Sequence, residues 1–166
     1  MSKSECVAAD WEQRGVLDGS RGALVSTLEQ HDNACAKVSI VPDQDKYLQG
    51  YEQGLLIYCT AESGLSEGLA NSEYLGVCPS DMEAEFLASY IDGLELTLIE
   101  LESESFDLSS RLFQLRLESS VPKYRANKNL RQRIYRNEQV LKQLAEERYD
   151  IRSRIAAHRQ QLNLLR

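Results

Sequence analysis

Two histidines, four cysteines and a recurring acid or amide are the residues of this 166-residue chain whose types could do chemistry. His31 lies in a polar stretch and His158 on a row of apolar residues. Neither has a second histidine or a cysteine at zinc-ligand spacing. A structural role is the simpler account of each. No serine sits in a Gly-x-Ser-x-Gly elbow, and neither a phosphate loop nor a dinucleotide fingerprint is present. Asp18, Gln53 and Asp92 each precede a glycine in three similar segments. They could meet as a polar cluster or ligand site, but capping and solvation of helix ends explain them as well. The expectation is a protein that is not an enzyme, with no catalytic residue, no metal and no cofactor.

Cys6, Cys35, Cys59 and Cys78 contain no Cys-x-x-Cys pair. An even number, all in the first half, suits two disulfides, the alternative being free thiols. Disulfides persist in oxidising compartments. The opening MSKSECVAADW has no apolar h-region. The chain is therefore expected to be either cytoplasmic or mature, with its targeting segment removed; disulfides favour the second. No apolar run approaches the roughly 18 residues that cross a membrane.

The elements that must position these residues come next. WEQRGVLDG (11–19), YLQGYEQG (47–54) and FLASYIDG (86–93) each open on an aromatic. Each then places a small residue four positions before a glycine: Gly15 and Gly19, Gly50 and Gly54, Ser89 and Gly93. Positions i and i+4 share a helix face. Small residues there let another backbone approach closely, a steric effect best documented in membranes. The bland alternative is that the glycines mark helix ends; Gly19, followed by Ser20, Arg21 and Gly22, suits that as well. Between Cys59 and Cys78, TAESGLSEGLANSEYLGV holds three glycines and no clear helical period, so it reads as a loop. Cross-linking its ends would stabilise by roughly 3 kcal/mol on the chain-entropy model. Cys6 with Cys35 would likewise tie the first helix to a short one around STLEQHDNACAK.

The net charge of −7 conceals an asymmetry: −10 over residues 1–85, −5 over 86–121 and +8 over 122–166. SDME at 80–83 reads as a capping box, with Ser80 at N-cap and Glu83 at N3. An apolar row follows at three-to-four spacing: Leu87, Ile91, Leu94, Leu98, Leu101, Ser105, Leu108, Leu112 and Leu115. A second row runs from Leu130 through Ile134, Asn137, Leu141, Leu144, Arg148, Ile151, Ile155 and His158 to Leu162 and Leu165. Rows of this length predict coiled coil. Pro122 lies between them and suits the first turn of a new helix. Folding about residue 122 or 123 sets Leu101 against Leu144, Asn137 against Leu108, Arg148 against Leu98 and His158 against Leu87. The turn is then Ser119 to Lys123. The acidic arm faces the basic arm, so the basic charge has an internal partner and nucleic acid is not expected. The alternative is one continuous helix, kinked at Pro122, pairing with another chain as a homo-oligomer. At the tip, Val121, Lys123, Tyr124 and Arg125 combine apolar surface with charge, a pattern of protein contact or of simple capping.

ECVAADWEQRGVLDGSRG, HDNACAK, YLQGYEQGLLIYC and SEYLGVCPSDMEAEFLASYIDG resemble a proteobacterial domain of unknown function found in envelope lipoproteins. The resemblance covers roughly residues 4–95. It implies export, and lipid attachment through a cysteine upstream of the domain. Cys6 matches the domain's own cysteine and is not the anchor. No activity and no site residues carry over.

The expected architecture is all-α: a small disulfide-stapled helical domain (1–85) followed by a long antiparallel coiled-coil hairpin (86–166). The expected disulfides are Cys6–Cys35 and Cys59–Cys78, and the close-packing glycines are Gly15, Gly19, Gly50, Gly54 and Gly93. The expected function is a periplasmic scaffold or adaptor, associated with the outer membrane only through an upstream lipid, with envelope proteins as partners. Its rivals are a ligand-binding or enzymatic domain using the acidic first half, and a cytoplasmic adaptor with four free thiols.

Overall fold

Side-chain oxygens start four helices. Asp10 accepts from the Gln13 amide and Asp43 from the Lys46 amide, each at 3.1 Å. Thr60 accepts from Ser63 and Asn127 from Leu130, each at 3.2 Å. Each satisfies an amide that the first turn leaves unpaired. In this computed structural model, which describes residues 3–165, the elements are α1 (Lys3–Val7), α2 (Trp11–Gly19), α3 (Thr27–Ala36), α4 (Gln44–Tyr58), α5 (Ala61–Leu69), α6 (Ser80–Ser120) and α7 (Lys128–Leu164). No strand occurs among the described residues. Disulfides join Cys6 to Cys35 and Cys59 to Cys78, each with Cα atoms 5.5 Å apart.

The first half is two copies of one unit. In the first, α2 packs on α4; in the second, α5 packs on the start of α6. A Cβ on Gly15 would overlap the Tyr47 carbonyl and reach the Tyr51 amide at 2.7 Å. One on Gly64 would overlap the Phe86 carbonyl in the same way. Gly19 against Tyr51 and Gly54 is matched by Gly68 against Tyr90 and Gly93. Both short helices end in a left-handed residue, Gly22 at φ +66° and Asn71 at φ +54°. A tyrosine hydroxyl closes each turn at 2.6 Å: Tyr51 donates to the Ala23 carbonyl, Tyr90 to that of Ser72. In each unit a disulfide ties the segment before the short helix to the segment before the long one.

This corrects two expectations. Residues 61–69, read as loop, are α5, the partner that the segment at 86–93 requires. Their glycines face backbone rather than side chains, so they leave no apolar period to detect. The repeat is also not three single helices but two helix pairs. A third correction concerns the start of α6. Pro79 occupies its N-cap and no side chain caps it. Glu83 is turned elsewhere, accepting from the Tyr74 hydroxyl at 3.1 Å and the Gln161 amide at 2.8 Å.

Phe86, Leu87, Tyr90 and Leu94 of α6 lie in one core with Tyr47, Tyr51, Tyr58 and Tyr74, and with Ile151, Ile155 and Leu162 of α7. A boundary at 85/86 therefore falls within a single helix, and α7 returns to the core of the first half. Beyond residue 94, α6 pairs antiparallel with α7. The turn is longer than expected: α6 runs through Ser120, residues 121–127 are non-helical, and Pro122 lies in that turn, outside α7. The longer turn slides the register. His158 packs edge-on to the Tyr90 ring at 5.3 Å. Arg148 donates to Ser105 Oγ at 3.0 Å, not onto Leu98. Polar seam residues thus meet polar or aromatic partners. The opposite arm charges pair as expected, Arg152 with Glu102 and Arg159 with Glu95.

Candidate functional site: the Asp18 cluster, the α7 junction and the hairpin tip

Asp18 is the buried charged residue of the first unit, 8% exposed. It stands on the last turn of α2, whose glycine face brings α4 close enough for Tyr47 to reach it. The Tyr47 hydroxyl donates to Asp18 Oδ2 at 3.0 Å, and His31 Nε2 from α3 lies 2.7 Å from the same oxygen. Trp11 flanks the imidazole with ring centroids 6.4 Å apart. Burial, then the bond to Asp18, pushes the Tyr47 phenol well above its usual value. One carboxylate oxygen therefore holds three helices together. Chemically this is a closed staple. The imidazole and phenol share the carboxylate's Oδ2 oxygen. In the second unit Phe86 stands where Tyr47 stands, so the cluster has no counterpart there.

Gln53 and Asp92 do not join it. Gln53 is exposed and reaches Glu12 at 3.4 Å. Asp92 is exposed on α6. Asp18 and Gln53 lie on the paired helices α2 and α4, but Asp18 is buried and Gln53 exposed; Asp92 belongs to the other pair.

The second buried constellation fixes α7 to the second unit, and sequence reasoning missed it. Arg154 donates to Asn71 Oδ1 at 2.7 Å, the Ser72 carbonyl at 2.7 Å and the Tyr90 hydroxyl at 2.6 Å. These acceptors lie just past the C-terminus of α5, where a cation is favoured. Arg154 is one position off the apolar row, among many basic residues, and nothing in the linear pattern separates it. Its Nε, like that of Arg148, is buried without a partner. His158 lies against both the Tyr74 and Tyr90 rings. Burial is the largest cause raising Tyr74. It also pushes Tyr58 up to about 12.

The tip brings together the residues singled out there. Every residue from 121 to 129 is exposed. Val121 is 44% and Tyr124 36% exposed, and the Lys123 ammonium lies 5.5 Å from the Tyr124 ring centroid. The Tyr124 amide bonds the Val121 carbonyl, and the Asn127 amide that of Tyr124, each at 2.9 Å. The turn is shaped by its own backbone, which leaves Val121, Lys123, Tyr124 and Arg125 on its surface.

Residues 10–95 match the family described as Protein of unknown function (DUF2799), and the chain belongs to that family. No curated protein and no solved structure matches it.

Proposed function

We propose that this member of DUF2799 is a non-catalytic scaffold or adaptor of the bacterial cell envelope, working in the periplasm and contacting envelope proteins through its helical hairpin. The observation that carries the reading is the double use of α6. Its first turns are core, packed under α5 and α7, while the rest runs out with α7 to a wholly exposed tip. A rigid foot with a projecting arm presents a surface at a distance and needs no chemistry of its own. Two disulfides support an oxidising compartment. Among the described residues no helix is long and apolar enough to cross a membrane. All four cysteines are in disulfides, so on this reading a lipid anchor is carried on a cysteine upstream of Met1. A pocket joining Asp18, Gln53 and Asp92 would have supported the rival, a ligand or catalytic cleft in the acidic half; Gln53 and Asp92 are exposed and stand apart from Asp18, so the rival lacks that support.

The test is photo-cross-linking in cells, from probes at Val121 and Tyr124 with a control at Leu48, an exposed residue of α4. The expected result is a discrete envelope-protein adduct from the tip probes only, with the protein fractionating with the envelope. Adducts no different from the control, or a cytosolic protein with four alkylatable thiols, would overturn the reading.

A further inference from the structure

The outer end of the hairpin is opposite in sign to the rest of the chain. Residues 117–133 hold five cations, Lys123, Arg125, Lys128, Arg131 and Arg133, and one acid, Glu118, on a chain whose net charge is −7. All six side chains belong to exposed residues. Lower on the hairpin the arginines are answered. Glu102 faces Arg148 and Arg152, Glu95 faces Arg159, and Glu138 faces Arg116. None of the five tip cations forms an ion pair among the described residues. Lys123 lies instead over the Tyr124 ring. The five fall within about 8 Å along the rod, inside a Debye length of about 10 Å. Like charges that close repel, so the fold gains nothing from holding them together.

The charge is not on one face. At about 100° per residue, Lys128, Arg131 and Arg133 stand on three sides of α7, while Lys123 and Arg125 lie in the turn. A protein offering one carboxylate to each would have to wrap the rod, whereas a broad anionic plane meets them end-on. Among them the turn presents Val121, 44% exposed, and Tyr124, 36% exposed, with Pro122 exposed between. A small apolar wedge with a phenol beside it, ringed by Lys and Arg, suits the headgroup boundary of a bilayer. Tyrosine is enriched at that depth, and basic side chains bury their stems there while the charge stays in water. Nucleic acid fits less well, because the two disulfides suit an oxidising compartment.

We infer that the hairpin tip docks end-on on a membrane surface of anionic phospholipid headgroups. Lys123, Arg125, Lys128, Arg131 and Arg133 face the phosphates, and Val121 and Tyr124 enter the headgroup layer. Each cation near such a surface strengthens binding about fivefold, so a net four give roughly several hundred-fold. This contact is separate from the upstream lipid. It goes beyond the adaptor reading and does not depend on it: protein-free vesicles test the tip, whereas cross-links in cells test the adaptor. A tip at headgroup depth still reaches an envelope protein lying in the same membrane.

Flotation of the full chain tests this, with vesicles of phosphatidylcholine alone and of phosphatidylcholine mixed two to one with phosphatidylglycerol. The chain is expected to float with the mixture only and to be released as salt is raised. Lys123→Ala with Arg125→Ala is expected to weaken binding about 25-fold, with helix content unchanged. Lys37→Ala with Lys46→Ala, at two exposed cations of the first half, leaves binding as it was. If the first pair loses helix content, Arg131→Ala with Arg133→Ala, at exposed positions of α7, is expected to weaken binding to the same degree. Brominated acyl chains quench the added emission of Tyr124→Trp and spare that of the native Trp11. The inference is overturned by no flotation with the mixture, by equal flotation with phosphatidylcholine, by equal loss in the Lys37 and Lys46 variant, or by an unquenched Tyr124→Trp. Salt-sensitive self-association without vesicles, abolished by Lys123→Ala with Arg125→Ala, also overturns it and assigns the tip to the acidic half of another copy.

Discussion

At the residue scale, Gly54 is decided by backbone contact. A Cβ there would overlap the Val16 carbonyl, meet the Ser20 amide at 2.6 Å and approach Gly19 at 2.9 Å. These are main-chain atoms of α2 and cannot swing aside. Helix propensity alone favours Gly54→Leu by just under about 1 kcal/mol, whereas overpacking costs about 1–3 kcal/mol. Chemical denaturation should therefore show a net loss of stability, and a gain would mean that the α2–α4 contact is not made. The tyrosines give a second prediction. Burial is the first cause raising Tyr47, Tyr51, Tyr58 and Tyr74. A phenol whose folded value is raised binds its proton more tightly folded than unfolded. Its contribution is whole below the unfolded value near pH 10 and is lost as pH rises through the folded values. Absorbance titration should show Tyr47, Tyr58 and Tyr74 un-ionised at pH 10, then ionising at higher pH together with loss of helix. All eight tyrosines titrating near pH 10 with helicity intact would contradict the packing described.

Elements are held to one another by groups that look alike in sequence but differ in partners. Arg148 and Arg154 both lie on α7 and both bury an unpaired Nε. Arg154 satisfies a side-chain amide, a carbonyl and a hydroxyl on two other elements. Arg154→Met strands those acceptors and should cost about 1–3 kcal/mol. Arg148 reaches only Ser105 directly, with Glu102 at 4.0 Å. Replacing such a half-desolvated charge by an apolar residue is often neutral or stabilising, so Arg148→Met should match or exceed the wild-type melting temperature. Equal losses in both would show that the register is wrong. The disulfide Cys59–Cys78 encloses α5, which buries mainly glycines on α6 and has little apolar grip of its own. Removing that bridge should cost about 3 kcal/mol.

Over the whole molecule, stability is unevenly spread. The core draws on α4, α6 and α7 together, whereas the outer hairpin holds a single seam with solvent on both flanks. Opening free energies follow local burial. Hydrogen exchange should find the strongest protection in residues 86–94 and 151–155 and progressively weaker protection toward residues 117–130. Uniform protection along α6 would contradict the uneven packing described here.

The amino-acid pattern alone determined what depends on side-chain type at fixed spacing. Two rows at helical period specify two long helices, the charge asymmetry specifies that they pair antiparallel, and glycines four apart on Gly50–Gly54 specify a close neighbour. What it could not determine depends on atoms without a side-chain signature. The helix at 61–69 is invisible because Gly64 and Gly68 bury backbone against backbone, leaving no apolar period. The register at the tip is set by a seven-residue turn: α6 stops at Ser120, before the extended Val121 that precedes Pro122, and backbone hydrogen bonds at Tyr124 and Asn127 shape the rest. Arg154 is one arginine among many until the carbonyl of Ser72 and the hydroxyl of Tyr90 arrive beside it. Asp18, Gln53 and Asp92 match in sequence yet separate in space, because only the tertiary structure decides which helix partners which.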